Sequence, residues 1–425
     1  MQEVLAEVLD KFEARFTAAM PILDDLLSHD APSPDDLRKL KEQIPSNIFI
    51  LDYFYGKLSS PLWLQPLKRE GFFRYPPEPV IDEDMGTVKF LRWPLSSYLV
   101  RMAKLSSESP DRLNPGVVLE SAPGIPVSPN PRIEENIVEV AGLLPTDLAV
   151  QLLERTKAGM LSPYYGWVDA DKVALLVLQL AKANYQGAAL DLLRSTLAIL
   201  PDPTTPETLD PSSRPFFKPQ PRPRIRQYDY EQILKNHLPA LVDALGETLL
   251  QLLCDLLDEA LELSQEGRSV PPDDYSYIWR FSIEQEYPDL PSDELPNALV
   301  TAIKDAAIQL GQLDPARAAF DKLIGRRWIV FTRLALHLLA QKPDVAPDLV
   351  ASTLTNKAYF DERNLFSEYR RLASKAFSQL TPEEKDRILS WIDEGPPPLA
   401  RPKPSAEPRE NSEASEAEDQ LYTRR

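Results

Sequence analysis

The chain has 425 residues and carries 42 prolines against only 14 glycines, the reverse of average usage. That shortage of glycine argues against glycine-rich phosphate loops and against folds built from hairpin turns. A net charge of −18 repels nucleic acid and anionic lipid at long range, which disfavours both as main partners.

At the N-terminus Glu3, Glu7 and Asp10 interrupt the apolar residues, so the basic and apolar regions of a secretory signal are missing. Val4, Leu5, Val8, Leu9, Phe12 and Phe16 step by three and four. The spacing predicts a helix over 4–27 that Pro21 kinks or ends. Ser33-Pro34, Ser60-Pro61, Ser109-Pro110, Asp314-Pro315 and Thr381-Pro382 each set a capping side chain before proline and predict helix starts. Trp63, Phe72 and Phe73 read as packed core at a helix join. Only Thr87 to Leu91 alternates as a strand does. Residues 110–131 hold six prolines and predict an extended wrap over the surface.

Helical segments then recur over 145–158, 169–183 and 186–200. This is the cadence of an α-solenoid, in which helix pairs stack and bury one another's apolar faces. Val173–Ala181 and Trp328–Leu339 are apolar almost all round and predict inner-layer helices. Arg333, His337 and Gln341 form the second one's thin polar stripe, expected to reach solvent or an adjacent helix end. Residues 201–223 hold eight prolines and read as a stiff linker. Leu365 to Leu380 is amphipathic. Thr381 and Glu384 make a capping box, and Gly395 is a helix stop. Beyond Gly395, proline, glutamate and serine dominate, and Leu399 and Leu421 are the only large aliphatics. Such a tail cannot offset its ordering entropy by burial and is expected to be disordered.

These signals predict an all-α fold, an irregular HEAT-like α-solenoid in two blocks. The expected divisions are an N-terminal helical block at 1–200, a proline-rich linker at 201–226, a C-terminal helical block at 227–395 and a disordered tail at 396–425.

Signals for chemistry are few. No phosphate-loop, dinucleotide, nucleophile-elbow or H-E-x-x-H motif occurs. His29, His237 and His337 fall on three separate helical segments, and the single cysteine, Cys254, sits in an apolar run as a small core residue. One thiol makes no intrachain disulfide and suits a reducing compartment. No run is long and apolar enough to span a bilayer. The expectation is a non-enzymatic, cytoplasmic protein with no cofactor, no metal and no membrane partner. Two sites stand out as candidate interaction residues. Trp279, Arg280 and Glu284 lie in an aromatic-dense segment, with Arg280 and Glu284 spaced for an i, i+4 ion pair. Arg222, Arg224 and Arg226 close a basic stretch in which Phe216 and Phe217 could stack on bases.

Pro61 to Phe73, then Trp93-Pro94 with Tyr98-Leu99, resembles the N-terminal region of large bacterial helical-repeat proteins. Ser276 to Glu284 is similar to their S-x-I-W-R-x-x-I-E segment, and Glu368 to Gly395 resembles another shared block. The resemblance is carried mostly by packing residues and implies a HEAT-like scaffold in a group linked to bacterial defence or conflict islands. It transfers no catalytic residue. The expected function is a protein–protein interaction scaffold or sensor arm. The alternatives are a nucleic-acid-binding adaptor using the basic linker, or a component of a bacterial defence system.

Overall fold

A computed structural model describes residues 16–45, 47–204, 219–265, 274, 276, 282–284, 294–311 and 316–395. The expected tail at 396–425, most of the expected linker, the Asp314-Pro315 helix start, and Trp279, Arg280, Phe216 and Phe217 lie outside them.

The described chain is mostly helical. Helix α1 (16–28) is followed by α2 (Pro34–Glu42), α3 (Ile48–Lys57) and α4 (Leu64–Arg69). A small hairpin, β1 (Val80–Asp82) with β2 (Thr87–Lys89), then precedes α5 (Pro94–Glu108), α6 (Pro115–Ser121), α7 (Pro131–Leu143), α8 (Thr146–Ala149) and α9 (Leu153–Gly159). Next come α10 (Ala170–Lys182), α11 (Gln186–Thr196), the short β3 (Ile199–Leu200) and β4 (Arg222–Pro223), α12 (Gln227–Asn236), α13 (Leu238–Leu245) and α14 (Glu247–Leu263). The last group is α15 (Glu294–Leu310), α16 (Ala316–Leu323), α17 (Ile329–Gln341), α18 (Pro347–Leu354), α19 (Lys357–Asp361), α20 (Phe366–Ala376) and α21 (Pro382–Glu394).

The packing runs in two successions. Helices α3, α5, α7, α10, α13, α15, α17 and α20 each contact the next, while α9, α11, α14 and α16 do the same beside them. Cross-contacts α10–α11, α13–α14 and α15–α16 tie the two rows together. Contacts of α10 with α12 and α13, and of α11 with α14, carry the packing past the proline-rich break. One connected apolar core runs from Ala19 to Trp391. The apolar faces demand this: α17 buries every residue from Leu334 to Ala340, so it needs neighbours on most sides.

Local signals explain most of the helix ends. Ser33 and Asp36 make a reciprocal capping box at α2, as Thr381 and Glu384 do at α21. At Gly395, φ is +75°, a conformation glycine adopts without strain. Other expectations need correction. Pro21 does not end α1. The carbonyl it leaves unpaired belongs to Thr17, and both residues are exposed, so water can take that bond. Ser109 closes α5 rather than opening a helix, its N–H bonding Leu105 O. The expected surface wrap at 110–131 is instead partly helical and contributes core. Asn114 and Asn130 cap helices that start on Pro115 and Pro131, and Val118, Ala122 and Ile125 are fully buried. The expected helix over 145–158 is broken into α8, a 3-10 turn and α9.

That region is clamped by one buried carboxylate. Glu134, in the first turn of α7, accepts from Arg155 Nη1 at 2.6 Å and Nη2 at 2.9 Å, and from Ser128 N at 2.8 Å. Arg155 also donates to the carbonyls of Ile125 and Pro126, each at 3.0 Å. The proline-rich segment is therefore held to two helices at once. Gly159 leaves the space: a Cβ there would stand 2.0 Å from Glu134 Oε2.

Gly159→Ala should therefore unseat the clamp and destabilise the fold by on the order of 3 kcal/mol in urea unfolding. Gly142→Ala, where a Cβ meets open space, should be neutral or gain up to about 1 kcal/mol. Equal effects at the two sites would refute the clamp. Cys254 is fully buried on α14, and burial pushes its thiol up to about 12. It should resist iodoacetamide near neutral pH in the native protein and react only when the chain is unfolded.

Candidate interaction surface

Arg222, Arg224 and Arg226 are not on a free strand of linker. Strand β4 pairs antiparallel with β3, Ile199 facing Pro223 and Leu200 facing Arg222, and Arg224 N–H bonds Ala198 O at 2.9 Å. Asp202 reinforces the register by accepting from Thr204 N and Gln220 N, both at 2.8 Å. Burial opposes the charge on Asp202, but these backbone donors, the Thr204 hydroxyl and nearby Arg222 hold its carboxyl below the usual range. Ile225 then plugs into the core.

Pinning this segment decides where the arginines go. Arg224 Nη1 donates to Met160 O at 3.0 Å. Arg226 Nε donates to Asp229 at 2.5 Å, and its guanidinium lies 5.4 Å over the Trp167 ring. Arg222 is exposed.

Trp167 is the centre of a surface cluster. The ring is 60% exposed, although tryptophan is highly buried on average. Phe90, at the end of β2, places its centroid 6.3 Å from Trp167 and 5.3 Å from Tyr164. Leu161 and Tyr228 are also exposed. Three separate elements thus converge: the β1–β2 hairpin, the turn before α10, and the entry to α12. Of this group, only Arg226 was singled out by sequence. The Ser162-Pro163-Tyr164-Tyr165-Gly166-Trp167 run is the signal that could have found it, since one turn cannot send every ring inward: Tyr165 is buried and Trp167 is exposed.

Glu284 lies at a second place. It pairs with Arg371 of α20; Arg280, the partner its spacing suggested, lies outside the described residues. Arg371 and Arg370 belong to a cleft of about 470 Å³ whose walls include Ser282, Ser367, Ser374 and His337. Beneath it, Glu368 accepts from Arg333 Nε and Nη2, each at 3.0 Å, and from Ile283 N at 2.8 Å. Both members of that pair are 2% exposed. At Arg333 the polar stripe of α17 therefore reaches the first turn of neighbouring α20, and Arg333 and His337 are buried while Gln341 is half-buried. Gln341 Nε2 lies 2.8 Å from His337 Nε2. Trp63 and Phe73 are buried, as a core role requires. Among the described residues no group of three or more histidines, cysteines or carboxylates is placed to hold a metal ion, and no helix is long and apolar enough to cross a membrane.

Arg333→Met leaves a buried carboxylate without its cation and should cost about 3–5 kcal/mol. The double variant Arg333→Met/Glu368→Met should recover a large part of that loss in the same unfolding measurement. A double variant as unstable as the single one would show that the pair is not the cause.

No protein-family model matches the chain, and no curated protein or solved structure matches it either.

Proposed function

We propose that this chain is a non-enzymatic protein–protein interaction scaffold, an irregular HEAT-like α-solenoid working in the cytoplasm. The single observation carrying the binding role is the surface cluster in which half-buried Phe90 and Tyr164 pack beside the exposed Trp167 and Arg226. Tryptophan, tyrosine and arginine are the residue types that dominate interface energetics, because each offers a large contact area with a polar handle. A partner that covers Trp167 removes an exposed indole from water and orders little that is not already ordered.

Support for the solenoid comes from the two successions of helix contacts, since stacking on nearest neighbours is how such arrays hold together. The cytoplasmic assignment rests on the single buried thiol. Membership of bacterial helical-repeat proteins, and a role in defence, remain proposals that follow the sequence resemblance alone. The nucleic-acid adaptor is the weaker alternative. Arg224 is half-buried against Met160 O, and the exposed Arg226 is already paired with Asp229 over Trp167, which leaves Arg222 as the exposed cation of the three that is turned to none of these groups.

The test is quantitative co-purification from the native host with wild type and with Phe90→Ala/Trp167→Ala. Truncating a hot-spot aromatic costs at least about 2 kcal/mol, so a stoichiometric partner should weaken about 30-fold or more. Circular dichroism should be unchanged, because Trp167 is largely solvent-facing. Recovery of no stoichiometric protein by the wild type would end the scaffold reading. Salt-sensitive recovery of RNA or DNA, lost in Arg222→Ala, would favour the adaptor.

A further inference from the structure

A second apolar feature sits at the far end of the chain, away from the Trp167 cluster and independent of the scaffold reading. Helices α19 and α21 and the start of α20 enclose a groove of about 410 Å³ lined by Phe360, Phe366, Trp391 and Ile392. Phe360 and Trp391 stand 5.4 Å apart between centroids, tilted by 54°. Tyr369 meets the other side of Phe360 at 5.8 Å. Their packing gives a stiff aromatic floor. Phe366 is 64% and Ile392 58% exposed, so the walls are apolar surface left in water. Asp361 and Glu362 line it with Arg363, and Lys357, 5.4 Å over the Trp391 ring, lies 2.9 Å from Glu394 and 3.9 Å from Asp361, so three carboxylates meet two cations there.

Aromatic-lined grooves recognise proline-rich segments, whose extended polyproline conformation is already formed and loses little entropy on docking. That excess of carboxylate favours ligands that also carry lysine or arginine. Immediately after Gly395 the sequence reads Pro396-Pro397-Pro398-Leu399-Ala400-Arg401-Pro402-Lys403-Pro404, with two cations and no acid. In a chain of net charge −18, a stretch that is both proline-dense and purely basic is the complement of this groove.

We propose that the groove binds the chain's own Pro396–Pro404 segment. Gly395 itself lines the groove. Its N–H closes α21 on Ile392 O at 3.1 Å, and φ is +75°. The segment therefore begins at the mouth of its own receptor. Nine residues in polyproline form reach roughly 28 Å, ample for a groove of this size. A tether this short sets an effective concentration in the millimolar range, so individually weak contacts suffice. The occupied groove is closed to proline-rich segments of other proteins until the tether is displaced.

The experiment places a photo-crosslinking p-benzoylphenylalanine at Phe366 in the full-length chain. Equal amounts of heavy-isotope and light protein are mixed, irradiated and mapped by mass spectrometry. Phe366 is mostly exposed, so the fold should tolerate the change, and circular dichroism verifies it. Crosslinks should run to residues 396–404 within one chain. Arg401→Glu/Lys403→Glu should cut their yield several-fold, and Pro396→Gly/Pro397→Gly/Pro398→Gly should cut it independently. Mixed heavy–light crosslinks would overturn the proposal in favour of a second copy. Crosslinks confined to other regions, or a yield indifferent to both variants, would overturn it outright.

Discussion

A carboxylate taken out of water must be met by donors, and this requirement shapes the structure at two places. Glu134 lies in the first turn of α7 and Glu368 in the first turn of α20, where the helix dipole favours negative charge. Each is completed by an arginine from another helix, Arg155 or Arg333, and by one backbone N–H from a non-helical segment, at Ser128 or Ile283. Helix burial alone does not hold a proline-rich connection in place. These two sites do so by giving the connection a donor that the core needs. Replacing such a pair with apolar residues is often neutral for stability. Its contribution is positional, fixing which stretch of loop lies against which helix.

The same logic explains how the surface cluster is assembled. Segment 219–226 has no apolar periodicity, yet it is laid along the end of α11 by two residues of antiparallel pairing and by Asp202. Ile225 and Pro219 are the buried residues of that stretch. With the backbone fixed, Arg224 has the Met160 carbonyl within reach and Arg226 has the Trp167 face. The aromatic rings come from positions far apart in sequence, Phe90 and Tyr164–Trp167. Their meeting depends on the packing of α5, α7 and α10 rather than on any local motif.

The difference between what could and could not be foreseen follows from range. Helix positions, the capping boxes at Ser33 and Thr381, the buried faces of α10 and α17, and the core role of Trp63 are local properties, legible in spacing and side-chain type. One misleading signal is proline, which reads as a mark of irregular chain. At 110–131 it stands at helix N-termini behind Asn114 and Asn130, where a missing donor costs nothing. For Arg333 the stripe signals solvent or an adjacent helix end, and it is the first turn of α20 that Arg333 meets, but nothing local identifies Glu368, 35 positions away, as the carboxylate waiting there. Likewise the pairing of Glu284 with Arg371 of α20 has no local signal. No one-dimensional pattern encodes a partner at that distance.

The distribution of positive charge bears on what the surface can bind. Arg155, Arg326, Arg333 and Lys172 are turned towards carboxylates of the chain itself, Arg326 serving both Asp255 and Asp258. Cations are thus consumed in holding helices together, while the acidic excess remains facing solvent. A protein organised this way has little long-range attraction to offer a negatively charged partner, and its general field favours basic ones. Selectivity must then come from short-range contacts, and the exposed Trp167 ring with half-buried Phe90 and Tyr164 beside it is surface for contacts of that kind. The groove at Trp391 follows the same economy at smaller scale: aromatic walls provide the contact area, and Lys357 is engaged by Asp361 and Glu394 of the chain itself.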